Sequence, residues 1–148
     1  MSLKQQIQND MKGALRARDS IRLSTLRLLI AAIQQRELDE RIELDDAGTL
    51  GIVEKLIKQR RESARQFLEA GREDRAQAEQ TEAEILTAYL PAALDEAELE
   101  AQIKVAIRES GASAPADMGK VMGLLKSRLA GRADMSEVSR RVRAQLAR

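Results

Sequence analysis

The sequence contains no cysteine, no histidine and no tryptophan, and its aromatic residues are Phe67 and Tyr89 alone. Lack of cysteine excludes disulfides and thiolate chemistry. Lack of cysteine and histidine together removes the usual ligands of zinc, copper and haem. Oxygen-ligated magnesium or calcium stays chemically open, but no acidic loop has the spacing such a site needs. No metal site, cofactor or catalytic residue is therefore expected. Long apolar runs are missing as well. The strongest, Leu26 to Ile33, is too short for a bilayer and contains Arg27. Lys4, Asp10 and Lys12 interrupt the first residues, which do not read as a signal peptide. These absences lead to the expectation of a soluble, cytoplasmic protein with no membrane association.

What is present points to helix. Alanine, leucine, glutamate, glutamine and arginine dominate, and no segment alternates like a strand, so the fold is expected to be all-α. A chain of 148 residues buries about 68–70% of its extended surface, enough for one sizeable core or two small ones. Charged residues make up 33%, yet the net charge is only +1. The signs are unevenly spread. Residues 1–36 carry Lys4, Lys12, Arg16, Arg18, Arg22, Arg27 and Arg36 against Asp10 and Asp19. Residues 110–148 carry Lys120, Lys126, Arg128, Arg132, Arg140, Arg141, Arg143 and Arg148 against Asp117, Asp134 and Glu137. The stretch from Glu69 to Glu109 is acidic. Basic ends can concentrate an anionic partner, although a salt-bridged, solvated surface has the same composition.

Apolar spacing divides the chain into helices. Leu3, Ile7, Met11 and Leu15 mark a first, running to about Arg18, and Asp19-Ser20 offers caps for the next. That helix, about Ile21 to Glu40, has Leu23, Leu26, Leu28, Leu29, Ile30 and Ile33 on more than one face, which predicts a central position. A third starts at Asp45 or Asp46, buries Leu50, Val53, Ile57, Ala64 and Phe67, and ends at Gly71. Lys55, Lys58, Arg61 and Arg65 line its outer surface, with Glu62 and Glu69 as ready partners. A fourth covers Glu73 to Tyr89, with Thr81 and Glu84 as an internal capping pair, and Pro91 stops it. Asp95 and Glu98 form a capping arrangement for a fifth, whose inner face is Leu99, Ile103 and Ile107 and whose end is Gly111. Ser136 is expected to cap a last helix with Val138, Val142 and Leu146 inward. The reading is an N-terminal bundle of about four helices over residues 1–91 and a small three-helix domain over 92–148.

The stretch least explained by core-building is Asp117-Met-Gly-Lys-Val-Met-Gly123, continued to Gly131-Arg-Ala-Asp134. Asp117 is placed to cap a helix whose apolar face is Met118, Val121, Met122, Leu125 and Leu129. Off that face run Gly119, Gly123, Ser127 and Ala130, flanked by Lys120 and Lys126. Gly131 stands where a left-handed helix-ending residue is wanted. A flat strip edged by positive charge admits a second backbone, whether a helix or a nucleic-acid strand.

Several segments together, Leu26-Arg-Leu-Leu-Ile-Ala-Ala-Ile33, Arg61-Glu-Ser63, Glu69-Ala-Gly-Arg72, Tyr89-Leu-Pro91, Asp117–Gly123 and Gly131–Asp134, resemble the YqeY family across essentially the whole chain. That family is similar to the tail of the B subunit of the glutamine-dependent aspartyl/glutamyl-tRNA amidotransferase. The resemblance implies a larger helical part followed by a three-helix end. It also implies a part in engaging tRNA or another structured RNA, and a protein partner in the translation or amidation machinery. Carried onto this sequence, the resemblance points to Gly119, Lys120, Gly123, Gly131 and Arg132, and the basic residues around them add Lys126, Arg128, Arg140 and Arg141 as candidate RNA-binding residues.

Three functions follow. The first is an RNA-binding accessory domain that recognises backbone and shape, since no aromatic residue lies in this region to stack on bases. Helix–turn–helix binding to DNA is a weaker variant, because no half-site logic is visible. The second is carbon–nitrogen ligation with glutamine as amide donor, the label the family often carries. Releasing ammonia needs an activated nucleophile and activating the acyl group needs ATP. Cysteine is absent, Ser63, Ser113, Ser127, Ser136 and Ser139 read as surface or capping residues, and no G-x-x-x-x-G-K-[ST] loop exists. Amidation is therefore expected, if at all, only as part of a larger complex. The third is a protein-interaction module, in which the glycines simply let helices pack closely.

Overall fold

A computed structural model describes residues 1–148, and every regular element in it is helical. The order is α1 (Leu3–Ala17), α2 (Ser20–Glu40), α3 (Asp46–Glu69), α4 (Glu73–Thr87), α5 (Glu96–Ser110), a single 3₁₀ turn (Pro115–Asp117), α6 (Met118–Arg128) and α7 (Met135–Leu146). The chain separates into two compact units, Met1–Leu90 and Pro91–Arg148.

Local chemistry sets most helix ends. Ser2 and Gln5 form a reciprocal capping box at α1, and Asp95 with Glu98 forms another at α5. Asp19 accepts from the Arg22 N–H and Asp45 from the Gly48 N–H. Gly71, Gly111 and Gly131 take left-handed φ near +70°, where a side chain is disfavoured. Two expected caps are different. α7 is capped by Asp134, which accepts from the Ser136 N–H, so Ser136 lies inside the first turn. Thr81 donates its hydroxyl to the Gln77 carbonyl within an unbroken α4 and caps nothing.

In the N-terminal unit, α2 touches α1, α3 and α4. Leu26, Leu29 and Ile33 from α2 meet Ile7, Ile52, Val53, Ile57, Leu86 and Tyr89 in one core. Leu28 does not join them; it is 51% exposed, on the opposite side of the helix. Buried Tyr89, just past α4, donates its hydroxyl to Asp10 at 2.7 Å. Burial and the neighbouring Asp10 carboxylate raise the phenol pKa, so the donor proton is retained. Arg60 on α3 holds Glu82 at 2.8 Å and Glu79 at 3.6 Å on α4.

The C-terminal unit has its own core of Leu99, Ile103 and Ala106 from α5, Val121, Leu125 and Leu129 around α6, and Val138, Val142 and Leu146 from α7. Each helix presents an i, i+3/i+4 stripe, and three such stripes close on one another.

Candidate nucleic-acid interface

α6 is fixed by its buried side. Val121 and Leu125 are fully buried, with Met118 and Met122 packed partly against the same core. At 3.6 residues per turn, the opposite side must carry Gly119, Lys120, Gly123, Lys126 and Ser127. All five are exposed. A Cβ added at Gly119 or Gly123 would meet nothing within 4 Å. The glycines therefore serve no close helix packing within this chain, and the strip they form is open. Lys120 and Lys126 edge it without entering a salt bridge, unlike Arg128, Arg140 and Arg141.

Asp117 behaves differently from expectation. No side chain caps α6. The Asp117 carboxylate instead turns back onto the preceding loop, accepting from the Ser113 N–H at 3.0 Å and the Ala114 N–H at 3.2 Å. The reason lies in the 3₁₀ turn, which carries the Asp117 side chain over the loop before α6 begins. These two N–H donors, with the Lys120 charge nearby, hold its pKa below the usual carboxylate value. Asp117 thus shapes the entry to the helix and does not occupy its first-turn N–H groups.

The remaining predicted residues are committed elsewhere. Arg128 pairs with Glu109 of α5. Arg140 pairs with Glu137. Arg141 is half-buried among three carboxylates, Glu100 at 2.9 Å, Glu137 at 3.1 Å and Glu96 at 3.2 Å. The Glu100 and Glu96 bonds raise its pKa further and tie α7 to α5. Arg132 donates from Nε to the Ala92 carbonyl at 3.2 Å, and its own carbonyl accepts from the Leu94 N–H at 3.0 Å. Gly131, with φ +73°, makes the turn that allows this stitch. Of nine predicted residues, the structure places Gly119, Lys120, Gly123 and Lys126 on one open face and gives Arg128, Arg132, Arg140 and Arg141 structural partners.

The Glu137 pairs were readable as i, i+3 and i, i+4 spacings. Glu96, Glu100 and Glu109 were not, because they come from another helix. Arg143, outside the predicted set, is exposed on α7 and enters no ion pair.

Surface depressions of about 350 and 410 Å³ belong to the N-terminal unit. The larger is lined by Asp10, Arg16, Asp19 and Arg22 among others. The smaller includes Thr87, whose hydroxyl is spent on the Ala83 carbonyl. Neither brings a nucleophile to a base. Ser127 on the α6 strip likewise donates to the Leu124 carbonyl. No group of three or more acidic side chains converges as a cation site.

Comparison with known proteins gives this geometry a family. A family model described as "Yqey-like protein" matches residues 4–146. The chain is 41% identical over 87 residues to the "Altered inheritance of mitochondria protein 41, mitochondrial" of Eremothecium gossypii, covering 58% of this chain and 48% of that protein. It is 34% identical over 113 residues to the protein of that name from Lachancea thermotolerans, covering 74% and 60%. With the one from Pyrenophora tritici-repentis it shares 30% identity over 140 residues, covering 92% and 76%. Against the first two, the chain spans about half of the relatives' length. Their names overturn the cytoplasmic expectation, since these relatives are mitochondrial proteins by name. The missing apolar run excluded only a secretory signal, whereas mitochondrial targeting segments are amphipathic and Arg-rich. No helix is long and apolar enough to cross a membrane. With a family match over nearly all of its length, the chain belongs to the YqeY-like protein family.

Proposed function

We propose that this protein is an RNA-binding accessory domain, with tRNA or another structured RNA as its ligand and no catalytic centre of its own. The observation that carries the reading is the outer face of α6, where glycines at 119 and 123 leave open space between two exposed lysines that enter no salt bridge. A phosphate backbone needs close approach and positive charge, and this strip offers both. Phe67 and Tyr89 both belong to the other unit, so contact here is to backbone and sugar, with recognition by shape. The likeness to the tRNA-engaging tail of the amidotransferase B subunit supports the same choice, and it suggests a protein partner in translation or amidation.

Binding to purified tRNA measured over a salt series tests this. Affinity should fall steeply with salt. Each phosphate contact contributes about 0.7–0.9 to the log–log slope, so Lys120→Ala with Lys126→Ala should flatten it by roughly 1.4–1.8. Binding that is absent, or insensitive to salt and to this double variant, overturns the proposal.

A further inference from the structure

α2 carries a second seam, on the side away from its core. Residues 21, 24, 28, 31, 35 and 38 recur at alternating steps of three and four, the spacing of a coiled-coil seam. They are Ile21, Ser24, Leu28, Ala31, Gln35 and Leu38, and every one is exposed. Ile21 is 54%, Leu28 51% and Leu38 74% exposed. The core of this unit uses Leu26, Leu29 and Ile33 on the opposite side of the helix, so nothing in the fold requires apolar residues here.

We propose that this face of α2 pairs with the same face of a second copy of the chain, antiparallel, across a two-fold axis between Leu28 and Ala31. The seam is symmetric under that operation. Ile21 then opposes Leu38, Ser24 opposes Gln35, and the large Leu28 opposes the small Ala31. The outer layers pair two large aliphatic residues, the next pair polar with polar, and the inner ones pair a large residue with a small one. Charge selects the direction. The start of α2 and the end of α1 present Arg16, Arg18, Arg22 and Arg27 against Asp19. The far end of α2 presents Asp39 and Glu40, with Glu43 just beyond it, against Arg36 and Arg41, while Glu37 is already held by Lys4 of α1. A parallel pair would stack like charge on like charge and align the helix dipoles unfavourably. An antiparallel pair brings the basic end of one copy to the acidic end of the other. One helix pair buries less than the roughly 1,200–2,000 Å² of a standard interface, so the dimer is a weak one that forms with concentration.

Sedimentation velocity of the whole chain over a wide concentration range should show a monomer shifting to a dimer. Leu28→Glu, at an already exposed position, should leave a monomer throughout with unchanged circular dichroism. Because the chain lacks cysteine, direction can be read by crosslinking. Ser24→Cys with Gln35→Cys should give a disulfide-linked dimer under mild oxidation, whereas Ser24→Cys alone should not. A wild-type chain that stays monomeric at millimolar concentration overturns the proposal. So does crosslinking through Ser24→Cys alone, which would mean a parallel pair.

Discussion

α6 and α7 of the C-terminal unit both carry basic residues, and those charges have two fates: Arg128, Arg140 and Arg141 are paired, whereas Lys120, Lys126 and Arg143 enter no salt bridge. On α7, Arg140 and Arg141 lie against Glu137, and Arg141 also reaches Glu96 and Glu100 of α5. On α6, Lys120 and Lys126 stand beside an open glycine strip and enter no salt bridge, although Lys120 lies near enough to Asp117 to lower its pKa. The first set helps hold the unit together; the second is available to a ligand. Positive charge alone therefore does not mark an anion site. What marks it is charge without an internal partner next to backbone that can be approached.

The largest effect is expected at the core that the two helices share. Leu125 is fully buried between the two helices, and Leu125→Ala should cost about 2–5 kcal/mol in denaturant unfolding of the C-terminal unit, erasing both faces at once. Arg141→Ala separates them. It should lower the melting temperature of that unit, while RNA affinity at fixed temperature below the transition changes little. A large loss of RNA binding with unchanged melting would reverse the assignment of the α7 arginines. Gly123→Ala sharpens the α6 side. With open space at the Cβ position, it should stabilise the helix by roughly 0.5–1 kcal/mol through propensity. Gly123→Leu keeps the fold but should weaken RNA binding by blocking the strip.

The smallest expected effect is on pH. The Asp117 carboxyl has its pKa lowered in the fold by the Ser113 and Ala114 N–H groups. A lowered folded pKa means that its contribution is present above the unfolded value, near 3.8, and is lost as pH falls through the folded one. Amide exchange at Ser113 and Ala114, corrected for the intrinsic rate, should lose protection in that acid window. It should lose it at every pH in Asp117→Ala.

Much of the fold was legible locally. The Asp95–Glu98 capping box, the glycines ending α3 and α5, and the stripes of Leu99, Ile103, Val138, Val142 and Leu146 follow from spacing and side-chain chemistry within one turn or two. The candidate site was legible only in part. Gly119, Lys120, Gly123 and Lys126 share one face because helical geometry alone puts them there. The fate of Arg128, Arg132 and Arg141 was not readable, because it depends on Glu109, Ala92, Glu96 and Glu100, which lie distant in sequence and arrive only when helices pack. Asp117 was misjudged for a related reason. A cap was expected from composition, but the 3₁₀ turn before α6 redirects its carboxylate onto Ser113 and Ala114.

The sequence alone dictates that this protein is helical, which segments form its helices, and most of the apolar stripe of each. Those properties come from periodicity and from interactions spanning a few residues. Tertiary structure decided which charges are free. An arginine beside a carboxylate from another helix is part of the scaffold, and a lysine facing open space is part of a surface that can bind. Sequence alone could not tell the two apart, since both are exposed cations on amphipathic helices until the helices meet.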